Sequence, residues 1–280
     1  MNRRRGLLAL PMALWAVFFV GVSLIYIIAL SLVRKNGAFL AGGELTLDNY
    51  ARLLTPQYLK VMLNSLKLAL LTTVYCLLLG YPFAYFMARS TGRKRTWLLI
   101  LIIAPFWTNA LIRMYGWKII LSANGPMNQI LLTLGLIDKP LKLLYTETAV
   151  MIGMVYGMIP FVILPVYSGL ERMDWTVVEA ARDLGSSPFK AFLTVTFPMT
   201  LPSALAGFVL TFLPSVGLFF ISDILGGANT VLWGNLVHDE LLKSHDMPFA
   251  AALSVVLFML TMLVIFLYHR AGGKNDEMVF

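Results

Sequence analysis

Residues 171–202 read ERMDWTVVEAARDLGSSPFKAFLTVTFPMTLP, a polar, helix-forming stretch set between two long apolar runs. Asp174 is placed to cap a helix reaching about Leu184, because its short side chain can accept from the free N–H groups of the first turn. Gly185 follows as a turn residue that takes the left-handed backbone closing a helix without a Cβ penalty. Ser187 and Pro188 restart a helix, serine as N-cap and proline at the first helical position, where its missing N–H matters least. Phe189, Phe192, Leu193 and Phe197 then fall on one apolar stripe. Pro198 and Pro202 are expected to end this second helix before the next apolar run. A helix–glycine–helix lying along a membrane surface suits docking into a groove on a partner.

The runs on either side make this a membrane protein. Of the 280 residues, 59% are apolar and 13% are charged, whereas a soluble domain carries roughly 45–50% and 25%. So little charge cannot cover a water-facing surface of this size, which excludes an ordinary soluble enzyme, a disordered chain and a nucleic-acid binder. A spanning helix needs about 20 mostly apolar residues. Six stretches qualify: 7–33, 63–88, 97–121, 148–170, 203–225 and 248–269. The first follows Arg3-Arg4-Arg5 and is much longer than the ~7–15 apolar residues of a secretory signal, so it is read as an uncleaved span. Segments on the side of 171–202 hold 12 Lys and Arg, and those on the other side hold 7 in a longer total length. Basic loops stay inside, which puts both termini and the 171–202 loop in the cytoplasm. Arg34 and Lys35 run against this rule.

Proline falls inside spans two to five, at 82, 105, 160, 165 and 214, and not inside the sixth. The backbone groups that proline frees persist only against other helices or a wet cavity, so spans two to five are expected to line any pathway. Cys76 is alone, which excludes an intrachain disulfide and reads as a small buried apolar residue. His238, His245 and His269 are not spaced as metal ligands, and the chain carries no P-loop with which to bind a nucleotide. No metal site is expected.

Glu179-Ala180-Ala181, three residues, Gly185, nine residues and then Val195-x-Phe197-Pro198 resembles the Glu-Ala-Ala loop of binding-protein-dependent ABC importer permeases. Leu47-Asp48-Asn49-Tyr50, Gly80-Tyr81-Pro82-Phe83-Ala84, Pro105-Phe106-Trp107-Thr108-Asn109, Leu111-Ile112-Arg113 and Phe219-Phe220-Ile221-Ser222-Asp223 with Gly226-Gly227 extend the likeness over nearly the whole chain. They resemble the B-type permease subunits of spermidine/putrescine importers. The resemblance implies an all-α, six-helix, type I importer permease fold in a single domain spanning 1–280, set in the bacterial inner membrane. It implies a non-catalytic subunit that binds no cofactor itself. Its partners are a second permease, an ATPase dimer that carries ATP and Mg²⁺, and an extracytoplasmic polyamine receptor. The loop, with Glu179, Ala180, Ala181, Gly185, Phe189 and Phe192, is then the element gripped by the ATPase.

A polyamine needs carboxylates for its ammonium groups and aromatic faces for cation–π contact. Asp223 is the only acid inside the six apolar stretches, and an intramembrane carboxylate is a functional candidate by default. It heads the expected cation path, with a structural ion pair to Arg113 as its alternative. Trp107, beside the Pro105 break, Tyr145, Tyr156, Phe219 and Phe220 are the aromatic candidates, with packing as the alternative for each. Asp239 and Glu240 are loop acids placed to meet cargo or a receptor. Arg113 and Lys118 oppose a cation path and are expected to pair, snorkel or face the receptor; Lys67 is expected to snorkel. The alternatives that stay open are an ABC permease for an amino acid or anion, with Arg113 and Lys118 as ligands, and an ion-coupled secondary transporter.

Overall fold

The computed structural model describes residues 2–36 and 40–270. The chain runs α1 (Asn2–Ser31), β1 (Val33–Asn36), β2 (Leu40–Leu45), α2 (Asp48–Leu53), α3 (Pro56–Ala88), α4 (Gly92–Ile103), α5 (Ala110–Ile120), α6 (Pro126–Thr133), α7 (Glu147–Arg172), α8 (Thr176–Asp183), α9 (Pro188–Ala191), α10 (Phe197–Gly217), α11 (Trp233–Leu242) and α12 (Met247–Arg270). Five helical stretches are long and apolar enough to cross a membrane: within α1, α3, α7, the continuous run Pro188–Gly217, and α12. A sixth is the pair Gly92–Trp107 and Ala110–Ile120, bent by 97° at its break. The chain is thus a multi-pass, mainly helical membrane protein.

Three expectations are corrected. The third span, expected over 97–121, is two helices: Pro105 lies in a tight turn over Ala104–Trp107, Thr108 is extended, and Asn109 caps α5 through Leu111 N–H at 2.8 Å. The fifth span does not run over 203–225 but ends at Gly217, where Leu218 turns extended after Pro214. Pro198 and Pro202 do not end the loop's second helix. A wider π-type turn over Phe192–Thr196 joins α9 to α10, and its looser hydrogen bonding absorbs the N–H that Pro198 lacks. Pro82, Pro160 and Pro165 also sit inside unbroken helices, because one lost bond is compensated where neighbouring helices hold the rest.

Packing divides the chain into two units, Met1–Val61 with Leu236–Leu260, and Met62–Asn235 with Thr261–Phe280. In the first, β1 and β2 form an antiparallel hairpin with Val33 opposite Leu45 and Asn36 opposite Leu40, the one departure from an all-α chain among the described residues. In this unit Arg34 faces Glu44 at 3.8 Å, and Lys35 donates to the Ser244 carbonyl at 3.0 Å. Asn49 donates to the carbonyls of Ser31 and Val33 and so holds the end of α1. Arg52 is the hub of this unit. Its guanidinium lies 3.8 Å from the centre of the Phe249 ring and donates to Asp246 at 3.0 Å, Tyr58 at 3.3 Å and Glu240 at 3.5 Å. Burial opposes its charge, but the bonds to Tyr58 and Asp246 outweigh that and lift its pKa above the usual arginine value.

In the second unit α7 and α10 make the most extensive helix pairing. Gly80 of α3 and Gly207 of α10 both press on Val162 of α7, where an added Cβ would lie 3.2 Å from Val162 atoms. Small residues let helices close on one another where lipid supplies no hydrophobic drive. One core gathers Cys76, Tyr81, Met87, Val162, Val166 and Leu170 around this contact. A second gathers Leu68, Met114, Met154, Ile221 and Leu225. Cys76 is fully buried as a small apolar residue.

Candidate functional site

The loop between α7 and α10 is locally self-supporting. Asp174 Oδ1 accepts from Thr176 N–H at 3.0 Å and from the Thr176 hydroxyl at 2.8 Å, starting α8. These bonds hold the Asp174 carboxyl below the usual carboxylate range. At the other end Gly185 N–H reaches the Arg182 carbonyl and Ser186 N–H reaches the Ala181 carbonyl. With Gly185 at φ +88°, this is a Schellman closure, which needs a left-handed residue at that position. Ser187 accepts from Lys190 N–H and caps α9. Met173, Val178 and Ala191 bury against each other, backed by Ala181 and Val195, and fix α8 on α9.

That inner face leaves a definite outer one. Glu179, Ala180, Gly185 and Phe189 are exposed, Phe189 at 72%, and Leu184 beside the turn is 89% exposed. Ala181 is half-buried. Phe192 does not share the Phe189 surface. Its ring meets the edges of Tyr81 at 5.6 Å and Tyr85 at 6.1 Å and belongs to the packing of α3. Leu184 was not singled out from the sequence, where a leucine before a capping glycine reads as helix packing.

The remaining candidates lie around two backbone breaks, Thr108-Asn109 and Leu218-Phe219. The π-type turn Ser222–Gly226 that follows the second break packs on α5, which follows the first, and on α7. Asp223 sits on that turn, exposed, and accepts from Asn235 Nδ2 at 2.5 Å. The expected pair with Arg113 is not formed, and among the described residues no cation of the chain pairs with Asp223. Asn235 also donates to the Phe219 carbonyl at 3.1 Å and accepts from Leu232 N–H at 2.9 Å, so one amide holds the carboxylate and the backbone just after the break. Its position early in α11, after Gly226-Gly227, carries no signal of this in the sequence.

Tyr145 has φ +66°, unusual for a non-glycine residue. Its N–H bonds the Leu225 carbonyl at 2.8 Å, and its carbonyl accepts from Asn229 at 3.1 Å. Its ring lies against Gly227, where a Cβ would approach Tyr145 Cδ1 to 2.9 Å. Tyr156 meets the edge of Trp117 at 5.5 Å. Phe219 and Phe220 are perpendicular neighbours at 6.3 Å. Trp107 projects from the first break and is 82% exposed. Tyr156 and Phe220 therefore pack against the second core, Tyr145 is bonded to the turn that contributes Leu225 to it, Asp223 sits on that turn with Phe219 just before it, and Trp107 stands exposed.

Arg113 and Lys118 reach the same rings. The Arg113 guanidinium lies 5.0 Å from the Phe106 centre and 5.7 Å from that of Tyr156; Lys118 Nζ lies 5.7 Å from Tyr115 and 5.8 Å from Tyr145. Lys67 pairs with Glu147 at 3.6 Å instead of only snorkelling. Of the loop acids, Asp239 pairs with Lys243 at 2.8 Å and His238 at 3.2 Å. Burial pushes its pKa up, and the Lys243 and His238 bonds more than reverse that, leaving it low.

Residues 80–272 match the family model described as binding-protein-dependent transport system inner membrane component. The chain is 46% identical over 265 residues to the spermidine/putrescine transport system permease protein PotB of Escherichia coli (strain K12), covering 95% of this chain and 96% of that one. It is 42% identical to the protein of the same name from Haemophilus influenzae, over 95% of this chain and 93% of that one. Among solved structures, a bacterial alginate ABC transporter in complex with alginate pentasaccharide-bound periplasmic protein aligns with TM-score 0.78 at 14% identity, over 96% of this chain and 94% of the other. The MetNI methionine ABC transporter, in an inward-facing conformation, aligns with TM-score 0.57 at 15% identity over 76% and 93%. These two likenesses establish the type I ABC importer permease fold and nothing of the cargo.

Proposed function

The chain belongs to the family of binding-protein-dependent transport system inner membrane components, and on that premise we propose that it is the permease through which an ATP-driven importer takes up spermidine and putrescine. The observation that carries the cargo assignment is its likeness, over nearly its full length, to relatives named for those polyamines. The site agrees chemically: Asp223 offers an exposed carboxylate with no cation of its own, one helical turn from Phe219 and Phe220, as a flexible polycation requires. An importer of an anion would use Arg113 and Lys118 as ligands, but their heads lie over aromatic rings.

ATP and Mg²⁺ bind on a separate ATPase dimer, and this chain supplies the route and the handle. The handle is the α8–Gly185–α9 loop, facing the cytoplasm, with Glu179, Ala180, Gly185, Leu184 and Phe189 outward. Phe192 ties α9 and the π-type turn to Tyr81 and Tyr85 of α3, so a pull on the loop reaches the spanning helices. The chain works with a second permease and an extracytoplasmic polyamine receptor in the inner membrane. ATP and receptor must contact the inward- and outward-open states differently to drive the exchange between them. The breaks at Thr108 and Leu218 are the places where the backbone can re-aim without unfolding a span.

The test is uptake of labelled spermidine in cells lacking other polyamine importers, with the neighbouring permease, ATPase and receptor co-expressed. Uptake is expected to require the ATPase, to be competed by putrescine and not by amino acids, and to fall at least tenfold in Asp223→Asn with membrane insertion unchanged. Competition by an anion instead overturns the cargo assignment. In parallel, Ala180→Cys is expected to cross-link to the ATPase, Cys76 being buried and inert.

A further inference from the structure

Arg113, like Lys118, carries a charge that is wrong for the cargo proposed above. It lies in the spanning region, half-buried, and its Nε is buried without a hydrogen-bond partner. Among the described residues it makes no ion pair with Asp223 or any other acid. What holds its head is Phe106 on one side of the 97° break and Tyr156 of α7. A cation in a span is costly and ordinarily paired, and a guanidinium and a primary ammonium compete for the same ring faces. Lys118, from the same short helix, occupies Tyr115 and Tyr145 in the same way.

We propose that Arg113 is a tethered stand-in for the cargo's ammonium: it fills the Phe106–Tyr156 aromatic site in this conformation, and a polycation enters only after bending at Thr108-Asn109 withdraws it. Phe106 and Arg113 are carried on opposite sides of that break, so a change of bend angle separates ring from cation without disturbing either helix. Since Nε has no hydrogen bond and the head no carboxylate, release breaks cation–π contacts alone. The device keeps the site occupied, and the pathway closed to small cations, when no cargo is delivered. This rests on the polyamine reading.

The experiment measures equilibrium binding of labelled spermidine to the full permease–ATPase complex in nanodiscs, without receptor. Arg113→Gln is expected to bind spermidine roughly 3–30-fold more tightly than wild type, the range set by one cation–π site relieved of its competitor. Arg113→Lys is expected to stay near wild type, because its ammonium also seats on the rings. Adding Tyr156→Leu to Arg113→Gln is expected to abolish the gain. Arg113→Met serves equally if the glutamine variant does not assemble. Binding no tighter than wild type in the neutral variant, or a gain that survives loss of Tyr156, overturns the inference while wild-type uptake of spermidine upholds the cargo. Absence of wild-type spermidine uptake overturns the cargo assignment and this inference with it.

Discussion

Replacing Gly185 separates backbone strain from steric fit in the loop that the ATPase is proposed to grip. Gly185 sits at φ +88°, and a Cβ built there meets nothing within 4 Å. Alanine therefore suffers no clash, and its whole cost is the left-handed backbone, about 1–2 kcal/mol for an L-residue. Asparagine tolerates that region and is expected to lose well under 1 kcal/mol. The strain is confined to the hinge between α8 and α9, whose own small core of Met173, Val178 and Ala191 must then hold the two helices against it. If the docking-competent turn is what the ATPase selects, apparent affinity falls with its population, so ~1–2 kcal/mol corresponds to a loss of roughly 5–30-fold. The assay is titration of purified ATPase onto the permease pair in nanodiscs, with the thermal midpoint of the permease recorded alongside. The order Gly, Asn, Ala is expected, with the midpoint unchanged because no spanning contact is touched. Alanine binding as tightly as glycine, or asparagine no better than alanine, refutes the reasoning.

Gly234→Ala is expected to destabilise the permease by about 1–3 kcal/mol, since its Cβ would overlap the Gly217 carbonyl and come within 2.8 Å of the Gly217 carbonyl carbon. Gly116→Ala, with nothing within 4 Å, is expected to be silent in the same thermal melt. Arg52→Gln strands the largely buried carboxylates of Asp246 and Glu240 and is expected to cost ~1–3 kcal/mol, discounted because the guanidinium is partly exposed. Arg52→Lys recovers only part of the melting temperature, as ammonium loses the planar stacking on Phe249. The folded Asp174 carboxyl titrates below its ordinary 3.8, so its contribution to the start of α8 is present at neutral pH and lost as pH falls below 3.8 through the lower folded value. Hydrogen exchange at the Thr176 amide is expected to quicken across that window beyond the intrinsic rate, and Asp174→Asn to remove the step.

What was legible in the sequence was what local chemistry decides. Asp174, Gly185 and Ser187-Pro188 each act on neighbours within a few residues, so the cap, the Schellman turn and the restart of the helix stand where their types imply. The apolar runs marked the spans for the same reason, since hydropathy is a local sum. The errors came where a local rule met a tertiary one. Pro198 and Pro202 are expected from sequence to end a helix, yet they are carried through by the π-type turn beside them. Pro105 and Pro214 do stand before breaks. The partners of the candidate site residues were not legible. Asn235 clamping Asp223, Arg52 reaching Phe249 and Asp246, and Arg113 seated on Phe106 and Tyr156 are contacts over distances in sequence that no pattern marks.

The central claim, that this chain is the route of an ATP-driven polyamine importer, is tested most directly in proteoliposomes. They would hold the chain, its partner permease and the ATPase, with ATP and Mg²⁺ placed on the ATPase side and receptor with labelled spermidine on the other. The account predicts accumulation of spermidine against its gradient that stops without ATP and ignores an imposed ion gradient. Accumulation driven by the ion gradient without ATP, or ATP-driven movement of another solute with spermidine left behind, contradicts it.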